Sequence, residues 1–306
     1  LMNLQNRNVM TTGSNSTSTT RVKITSTTVA RINSTTSGVA IENSTFTKTP
    51  PTPTKILPTP TIEILTVGSS RTRESDGMEM FYIPEGEFIM GSEDNKGLEN
   101  EYPQHSVFLN SFWMDRTEIT NAMYEECVKE NVCSEPAYLM TMSRDTYFYD
   151  DQYNAYPVIA VNWDQANTYC QWVGSRLPTE AEWEKAARGT DGRQYPWGDF
   201  SPNESLANCN DNLGDTAEVG SYPEGSSPYG VLDLSGNVFE WVADWYGVYQ
   251  SDDTKNPLGP SSGENRIIRG GAFELGNIHL RATYRGEIEP EATYFDIGFR
   301  CAMDGK

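Results

Sequence analysis

The sequence predicts an α+β domain in which short helices and many short strands are joined by long loops. Two segments, Trp163–Ser175 and Thr179–Gly189, repeat their apolar residues with the period of a helix. Others alternate apolar and polar residues as strands do, among them Met80–Pro84 and His105–Met114. Most of the 25 glycines lie beyond residue 65, which indicates frequent turns in that part of the chain.

Residues 1–65 differ from the rest in composition. They are dense in Ser, Thr and Asn, and Phe46 is their only aromatic residue. Such a segment buries too little apolar surface to offset its ordering entropy. The repeated prolines of Thr49–Thr61 favour an extended polyproline-II spacer. Two interpretations remain open, a disordered Ser/Thr/Pro-rich stalk at a cell surface or a disordered tail without a function.

Charge is distributed unevenly. The chain has 23 Lys and Arg against 43 Asp and Glu, a net charge of −20. Residues 1–65 hold six of the basic and two of the acidic side chains, so residues 66–306 hold 17 basic and 41 acidic ones, or −24. A domain this acidic repels phosphate backbones, which excludes nucleic acids as partners.

Membrane and targeting signals are weak. No run of 18 or more apolar residues occurs, so we expect no transmembrane segment. The start, Leu1–Leu4, shows no apolar signal core. We therefore expect that the chain begins after a removed leader or is a fragment.

The first elements of the domain are strands followed by a helix. Met80–Pro84 and Gly86–Gly91 predict two strands across a short turn, and His105–Met114 predicts another. Thr120 is a suitable N-cap for a helix at Asn121–Glu130. Residues 134–158, which have no clear period, predict an ordered insertion loop.

Two helices follow. The first, Trp163–Ser175, carries one buried stripe, namely Ala166, Tyr169, Cys170 and Val173. The second begins with a capping box at Thr179–Glu182 and turns three residues inward, Trp183, Ala186 and Ala187. Three glutamates near its start resemble an acidic cluster, but the helix dipole explains them better: Glu180, Glu182 and Glu184.

The C-terminal third predicts loops and closing strands. Ala207–Thr216 is dense in Asn and Asp, so it is either a tight solvated loop or a cation-binding loop. Arg266–Phe273 predicts a strand that enters a glycine turn, and Leu280–Arg285 and Asp296–Ala302 predict the closing strands.

A second glycine turn lies at Gly236–Trp241, Gly-Asn-Val-Phe-Glu-Trp. Glycine permits a tight turn whose carbonyls face inward, and oxygen atoms from Asp233 and Glu240 then suit a hard cation such as Ca²⁺. The alternative is a polar turn followed by a buried aromatic strand.

Five motifs, in the same order, resemble those of the formylglycine-generating enzyme (sulfatase-modifying factor) family. The glycine turn is similar to that family's G-N-V-W-E-W signature, and the others are Ile83–Ser92, Met114–Asn121, Arg176–Gly189, and Arg269–Gly271 with Ile297–Cys301. The resemblance spans about residues 78–303. It implies a domain over residues 66–306 with the family's variant of the C-type lectin fold, which is α+β and low in regular secondary structure.

The resemblance also implies one or two structural Ca²⁺ ions. The positions that match the first are Asn208, Asp211 and the carbonyls of Cys209 and Leu213. Those that match the second are Asp233, Glu240 and the carbonyls of Gly236 and Val238, with Glu118 as a further candidate ligand.

Five cysteines lie in the acidic part of the chain, which makes disulfides and an oxidising compartment plausible. The resemblance pairs Cys170 with Cys301. A second disulfide, between Cys127 and Cys133, would tie the end of a helix to the loop after it. Cys209 is then left over, and we expect a buried side chain whose carbonyl matters more than its sulfur.

Catalytic members of the family bind Cu(I) through two cysteines that shortly follow the Arg-Gly-Gly turn, which is Arg269–Gly271 in this chain. Leu275 and Leu280 stand at the matching positions, and leucine offers no lone pair to copper. We therefore expect no copper and no formylglycine formation. His105 and His279 are the only histidines, too few for a three-histidine iron site. Four residues remain as candidates to line a groove: Glu274, His279, Arg281 and Arg285.

Three functions follow from these observations. The first is a non-catalytic, calcium-stabilised binding domain outside a bacterial cell, or in its periplasm. Its groove, near Glu274–Arg285 and Tyr147–Tyr156, would take a peptide, a glycan or a small ligand. The second is a protein-modifying oxidase, of the formylglycine-generating or a related type, that works through a non-cysteine site. The third is a scaffolding domain with a vestigial pocket.

Overall fold

The computed structural model describes residues 64–250 and 254–305. The predicted stalk, residues 1–65, lies outside these residues except for Ile64 and Leu65. No helix in the described part of the chain is long and apolar enough to cross a membrane. Its longest helix has ten residues and its longest strand seven, so the predicted loop-rich α+β architecture is confirmed.

The first sheet joins the two ends of the domain. It has four antiparallel strands, in the order β1 (Ser70–Thr72), β2 (Glu79–Ile83), β5 (Phe112–Asp115) and β10 (Ala302–Asp304). All four residues of β5 are buried, as expected for a strand paired on both sides.

A separate two-stranded ribbon pairs β3 (Gly86–Met90) with β4 (His105–Leu109). The two strands expected on either side of the turn before Gly86 are both present, and they belong to different sheets. The single strand expected at His105–Met114 was wrong. It breaks at Asn110 and Ser111, whose backbone groups bond to Asn256 Oδ1 and to the Gly305 N–H instead of to a strand.

The second four-stranded sheet is built around β6 (Phe239–Trp245). Its order is β8 (Gly286–Ile288), β7 (Arg266–Arg269), β6 and β9 (Ile297–Phe299), and the β6–β9 pair is parallel. The glycine turn is thus followed by a buried aromatic strand, one of the two alternatives left open by the sequence.

Three helices are present in the described residues, and two of them, the first and the third, begin at the predicted caps Thr120 and Thr179. The three helices are α1 (Asn121–Lys129), α2 (Trp163–Trp172) and α3 (Glu180–Arg188). In the capping box of α3, Thr179 Oγ1 accepts from the Glu182 N–H at 3.2 Å and Glu182 Oε2 accepts from the Thr179 N–H at 2.9 Å. Helix α2 ends three residues earlier than expected.

The strand expected at Leu280–Arg285 was wrong, because these residues form turns. The carbonyls of Ala282 and Thr283 accept hydrogen bonds from the Arg269 guanidinium at 2.6 and 3.3 Å, so they are not available to a strand partner. The expected strand Asp296–Ala302 is divided between β9 and β10, with the buried Arg300 between them.

Both expected disulfides are present. Cys170–Cys301 joins α2 to the segment between β9 and β10, with Cα atoms 5.6 Å apart. Cys127–Cys133 joins the end of α1 to the following loop, with Cα atoms 5.3 Å apart. Cys209 is free and buried, as expected.

Candidate functional site

The three segments in which site residues were predicted lie side by side. The Asn237 N–H of the glycine turn donates to the Asn208 carbonyl at 2.9 Å, and the Phe273 N–H donates to the Asn237 carbonyl at 3.0 Å. A Cβ at Gly236 would lie 2.3 Å from the Asn208 carbonyl oxygen, and its φ is +82°. Glycine is therefore required at Gly236, both for the turn and for this close contact.

Two carboxyl groups meet beneath the glycine turn. Glu118 Oε1 accepts from Asn237 Nδ2 at 2.9 Å, whereas the buried Glu118 Oε2 has no partner within residues 64–250 and 254–305. Asp233 Oδ2 accepts from the Gly220 N–H at 2.6 Å. Burial raises the pKa of Glu118 well above its usual value, and the neighbouring Asp233 carboxylate raises it further. Burial also raises the pKa of Asp233.

Glu240 is buried in the same region, and its carboxylate pairs with the Arg300 guanidinium. Arg300 donates to both of its carboxylate oxygens at 2.7 Å, and Trp183 Nε1 donates to Oε2 at 2.8 Å. Arg300 is itself completely buried. Arg300 lies in the Ile297–Cys301 motif, but no local sequence pattern predicted its role.

Glu118 and Asp233 supply oxygen atoms of the type that a hard cation binds. The cluster holds three carboxyl side chains and one guanidinium, and Glu118 Oε2 is a buried oxygen without a donor. A bound Ca²⁺ would supply positive charge to oxygen ligands of this kind. Across the described ranges, however, no group of three or more His, Cys, Asp or Glu side chains is arranged to hold a metal. With Glu240 bonded to Arg300, backbone carbonyls are the expected remaining ligands.

The other predicted calcium site lies in the loop Ala207–Thr216, which is partly exposed. Asn208 is buried, and its Oδ1 has no partner among the described residues. Asp211 and Leu213 are exposed, and the Cys209 carbonyl accepts from the Asn212 N–H at 3.1 Å. The unpartnered Asn208 Oδ1 is the feature that suits a cation here, and the four ligands stay a prediction.

The two leucines at the predicted copper positions lie in a packed environment. Leu280 is completely buried in a cluster with Tyr195, Ala207 and Cys209, and the half-buried Leu275 packs against this cluster. Burial raises the pKa of Cys209 above its usual value. This cluster therefore contains one neutral thiol and no second sulfur ligand.

Glu274 and His279 remain accessible in the same window. Glu274 is exposed, and partial burial raises its pKa, with Asp296 and Asp211 adding to the effect. His279 is half-buried, and its ring packs edge-on against Tyr284 with centroids 4.9 Å apart. Neither residue is held by a side-chain hydrogen bond to the other.

Arg281 and Arg285 each line a surface cavity, and both are paired with a buried carboxylate. Arg281 donates to Glu101 Oε2 at 3.0 Å, and Arg285 donates to both oxygens of Glu180 at 2.6 and 2.8 Å. Both guanidinium groups are buried, because pairing with a carboxylate stabilises a charge that is removed from water.

Glutamates at the start of α3 join the same kind of ion pairs. Glu184 binds Arg269 at 2.6 Å and Arg188 at 3.0 Å, and Glu180 binds Arg269 at 3.1 Å. The helix dipole alone, as expected from sequence, therefore does not account for these two buried carboxylates. The structural role was correct, but its main cause is charge pairing.

Two surface cavities lie close to the predicted groove. One, of about 460 Å³, is lined by the insertion loop, including Leu139, Tyr147 and Tyr149. The other, of about 550 Å³, is lined by polar residues beside Cys209. Loop residues Tyr147, Tyr153 and Tyr156 pack together, and the Arg144 guanidinium lies 4.7 Å from the Tyr153 ring centre.

Comparison with known proteins decides the family. The model of the sulfatase-modifying factor enzyme 1-like domain matches residues 66–305. The chain belongs to this family. Its fold is accordingly the formylglycine-generating-enzyme variant of the C-type lectin fold.

Relatives within the family carry different names. A serine/threonine-protein kinase, pkn1, from Chlamydia caviae is 35% identical over 243 residues, which cover 74% of this chain and 38% of that protein. The formylglycine-generating enzyme of Streptomyces coelicolor is 31% identical over 279 residues, which cover 72% of this chain and 88% of that enzyme. The chain thus spans well under half the length of the kinases that it matches.

Among solved structures, PvdO from Pseudomonas aeruginosa matches with a TM-score of 0.66 and 25% identity, covering 79% of this chain and all of that one. Treponema denticola variable protein 1 matches with a TM-score of 0.61 and 23% identity, covering 78% of this chain and 99% of that one. The second likeness concerns the fold alone.

Proposed function

We propose that this member of the family is a non-catalytic, calcium-stabilised binding domain that works outside the cell or in the periplasm. The observation that carries the proposal is the pair Leu275 and Leu280 at the positions of the copper cysteines. Leu280 is completely buried, so its site is filled by hydrocarbon. Cu(I) requires soft ligands such as thiolates, and the neighbouring Cys209 supplies one at most.

Other features support the calcium and the location. The unpartnered oxygens of Glu118 and Asn208 each lie in one predicted calcium set. Two disulfides favour an oxidising compartment. The tyrosine-lined cavity of the insertion loop offers aromatic faces and hydrogen-bonding groups, which suit a peptide, a glycan or a small ligand.

The alternative is a protein-modifying oxidase that uses a non-cysteine site. Relatives named for oxidative activities favour it, among them a hercynine oxygenase of Mycolicibacterium smegmatis, 30% identical over 258 residues, which cover 72% of this chain and 60% of that protein. In this chain Glu274 and His279 are the accessible candidates. A catalytic role for either would require substrate turnover without the copper thiolates.

A turnover assay separates the two functions. The protein is incubated with Cu(I), O₂ and a cysteine-containing sulfatase peptide, and peptide mass and O₂ uptake are followed, with the Streptomyces coelicolor enzyme as positive control. We expect no aldehyde product from this chain, because no thiolate pair holds the copper. Aldehyde formation would overturn the binding-domain proposal in favour of the oxidase.

A double variant tests whether the missing thiolate pair is the reason that this chain holds no Cu(I). Leu275→Cys/Leu280→Cys should withdraw Cu(I) from a chromogenic chelator, whereas the wild-type protein and the matched Leu275→Ser/Leu280→Ser variant should not. Equal copper uptake by the wild type and the cysteine variant would mean that another site holds the metal.

A further inference from the structure

A mostly apolar cavity of about 390 Å³ lies beside the start of α3 and the end of β6. Aromatic and aliphatic side chains form much of its lining, among them Met90, Trp245, Tyr249, Pro257 and Pro260. The cavity shares no residue with the predicted calcium ligands or with Leu275 and Leu280. Its size and lining are typical of sites for small organic ligands.

Asp244 provides an incompletely bonded carboxyl group at this cavity. The residue lines the cavity and is only 4% exposed. Its Oδ2 accepts from the Glu180 N–H at 2.8 Å, whereas Oδ1 has no hydrogen-bond partner within residues 64–250 and 254–305. Burial raises the pKa of Asp244 to about 8, and the nearby Glu180 carboxylate adds to the effect. A ligand that donates a hydrogen bond would complete this group.

Gly259 leaves room for a ligand to approach Oδ1. A Cβ at Gly259 would lie 3.1 Å from Asp244 Oδ1, and the residue has a φ of +66°. A side chain there would crowd the carboxyl oxygen as well as strain the backbone. The absence of that side chain keeps the oxygen accessible from the cavity.

Arg285 and His105, which also line the cavity, already have hydrogen-bond partners. Arg285 donates to Glu180 through Nε at 2.6 Å and through Nη2 at 2.8 Å, and its guanidinium lies 3.9 Å from the Tyr249 ring centre. His105 Nδ1 lies 2.9 Å from the Pro103 carbonyl oxygen. Asp244 is therefore the carboxylate of the described lining that has no cation bonded to it.

We propose that this cavity binds a small organic cation, with a primary ammonium group on Asp244 Oδ1 and an aromatic or aliphatic body against Trp245 and Tyr249. An ammonium–carboxylate hydrogen bond is charge-assisted and therefore stronger than a neutral one. Aromatic walls also favour cations. A metal ion would need several oxygen ligands, and the lining offers an anion no unpaired cation, because Arg285 is bonded to Glu180.

The test compares two probes of equal shape on the intact protein. Phenethylammonium and phenethyl alcohol are titrated by isothermal calorimetry at about pH 9, above the pKa of about 8 of Asp244, so that the carboxyl group is ionised. We expect a dissociation constant for the ammonium probe between roughly 10 μM and 1 mM, the range of a good fragment. The alcohol should bind about tenfold more weakly or worse, because it lacks the charge.

Variants assign the effect to the carboxyl group. Asp244→Asn and Gly259→Ala should each weaken binding of the ammonium probe about tenfold or more, and Asp94→Asn, on an exposed loop, should leave it unchanged. Equal binding of the two probes by the wild type, or no heat from the ammonium probe, overturns the proposal even if a variant fails to fold. Neither outcome bears on copper turnover, so this proposal and the proposed function fail separately.

Discussion

The domain contains two buried clusters of charged side chains that are neutralised in different ways. At the start of α3, two carboxylates, Glu180 and Glu184, meet three guanidinium groups, Arg188, Arg269 and Arg285. Beneath the glycine turn, three carboxyl groups share one guanidinium: Glu118, Asp233 and Glu240 with Arg300.

This difference explains why one cluster is complete and the other is not. Each carboxylate at α3 is paired with a guanidinium group inside the protein. At the glycine turn Arg300 serves Glu240, and Glu118 Oε2 is left without a donor. Because an unpaired buried charge is costly, this cluster must either retain a proton or bind a cation.

Removal of the single guanidinium should have the largest effect. Arg300→Met leaves three buried carboxyl groups without a cation, which should lower the free energy of unfolding by roughly 3–5 kcal/mol. Arg269→Met should cost less, because Arg285 and Arg188 still pair with Glu180 and Glu184. Chemical denaturation of both variants measures the difference, and equal losses would contradict the proposed imbalance.

Calcium should have the next largest effect. A Ca²⁺ ion that binds only the folded protein stabilises it by about 2.7 kcal/mol at 100 times its dissociation constant. The melting temperature of the wild type should therefore be higher with added Ca²⁺ than with a chelator. Glu118→Gln should shrink the difference, whereas Glu79→Gln, in a partly exposed pair with Arg116, should not. Identical melting temperatures with and without Ca²⁺ would contradict the proposal that this site binds Ca²⁺.

A smaller, pH-dependent effect is expected at Lys185 of α3. Its ammonium group donates to the carbonyls of Pro84 and Gly86, both at 2.9 Å, without a carboxylate partner. Burial lowers its pKa from 10.5 to about 8. Between these two values the unfolded chain binds more protons than the folded one, so stability contributed by this residue should rise with pH.

The Lys185 effect is measured as a difference between variants. Lys185→Met should lack the rise in unfolding free energy between about pH 8 and pH 10 that the wild type shows. The exposed Lys129→Met should retain it. A parallel pH profile for the wild type and Lys185→Met would show that the buried amine does not titrate in this window.

Local sequence patterns predicted which segments form helices and strands better than they predicted which strands pair with each other. Thr120 and Thr179 cap the predicted helices, because a cap depends on residues only three positions away. Alternation at His105–Met114 was correct for two strands but did not reveal that they enter different sheets. At Leu280–Arg285 an alternating pattern formed turns, since Arg281 and Arg285 were drawn into buried ion pairs with Glu101 and Glu180.

The sequence by itself determined the family motifs and the acidic character of the domain, and it placed Leu275 and Leu280 where the resemblance predicts the copper cysteines. Only the tertiary structure decided which charged groups pair and which oxygens are left without a donor. Arg300 and Glu240 are 60 residues apart, and Arg281 and Glu101 are 180 apart. No local pattern encodes such pairs, because they form when distant segments remove their charges from water together.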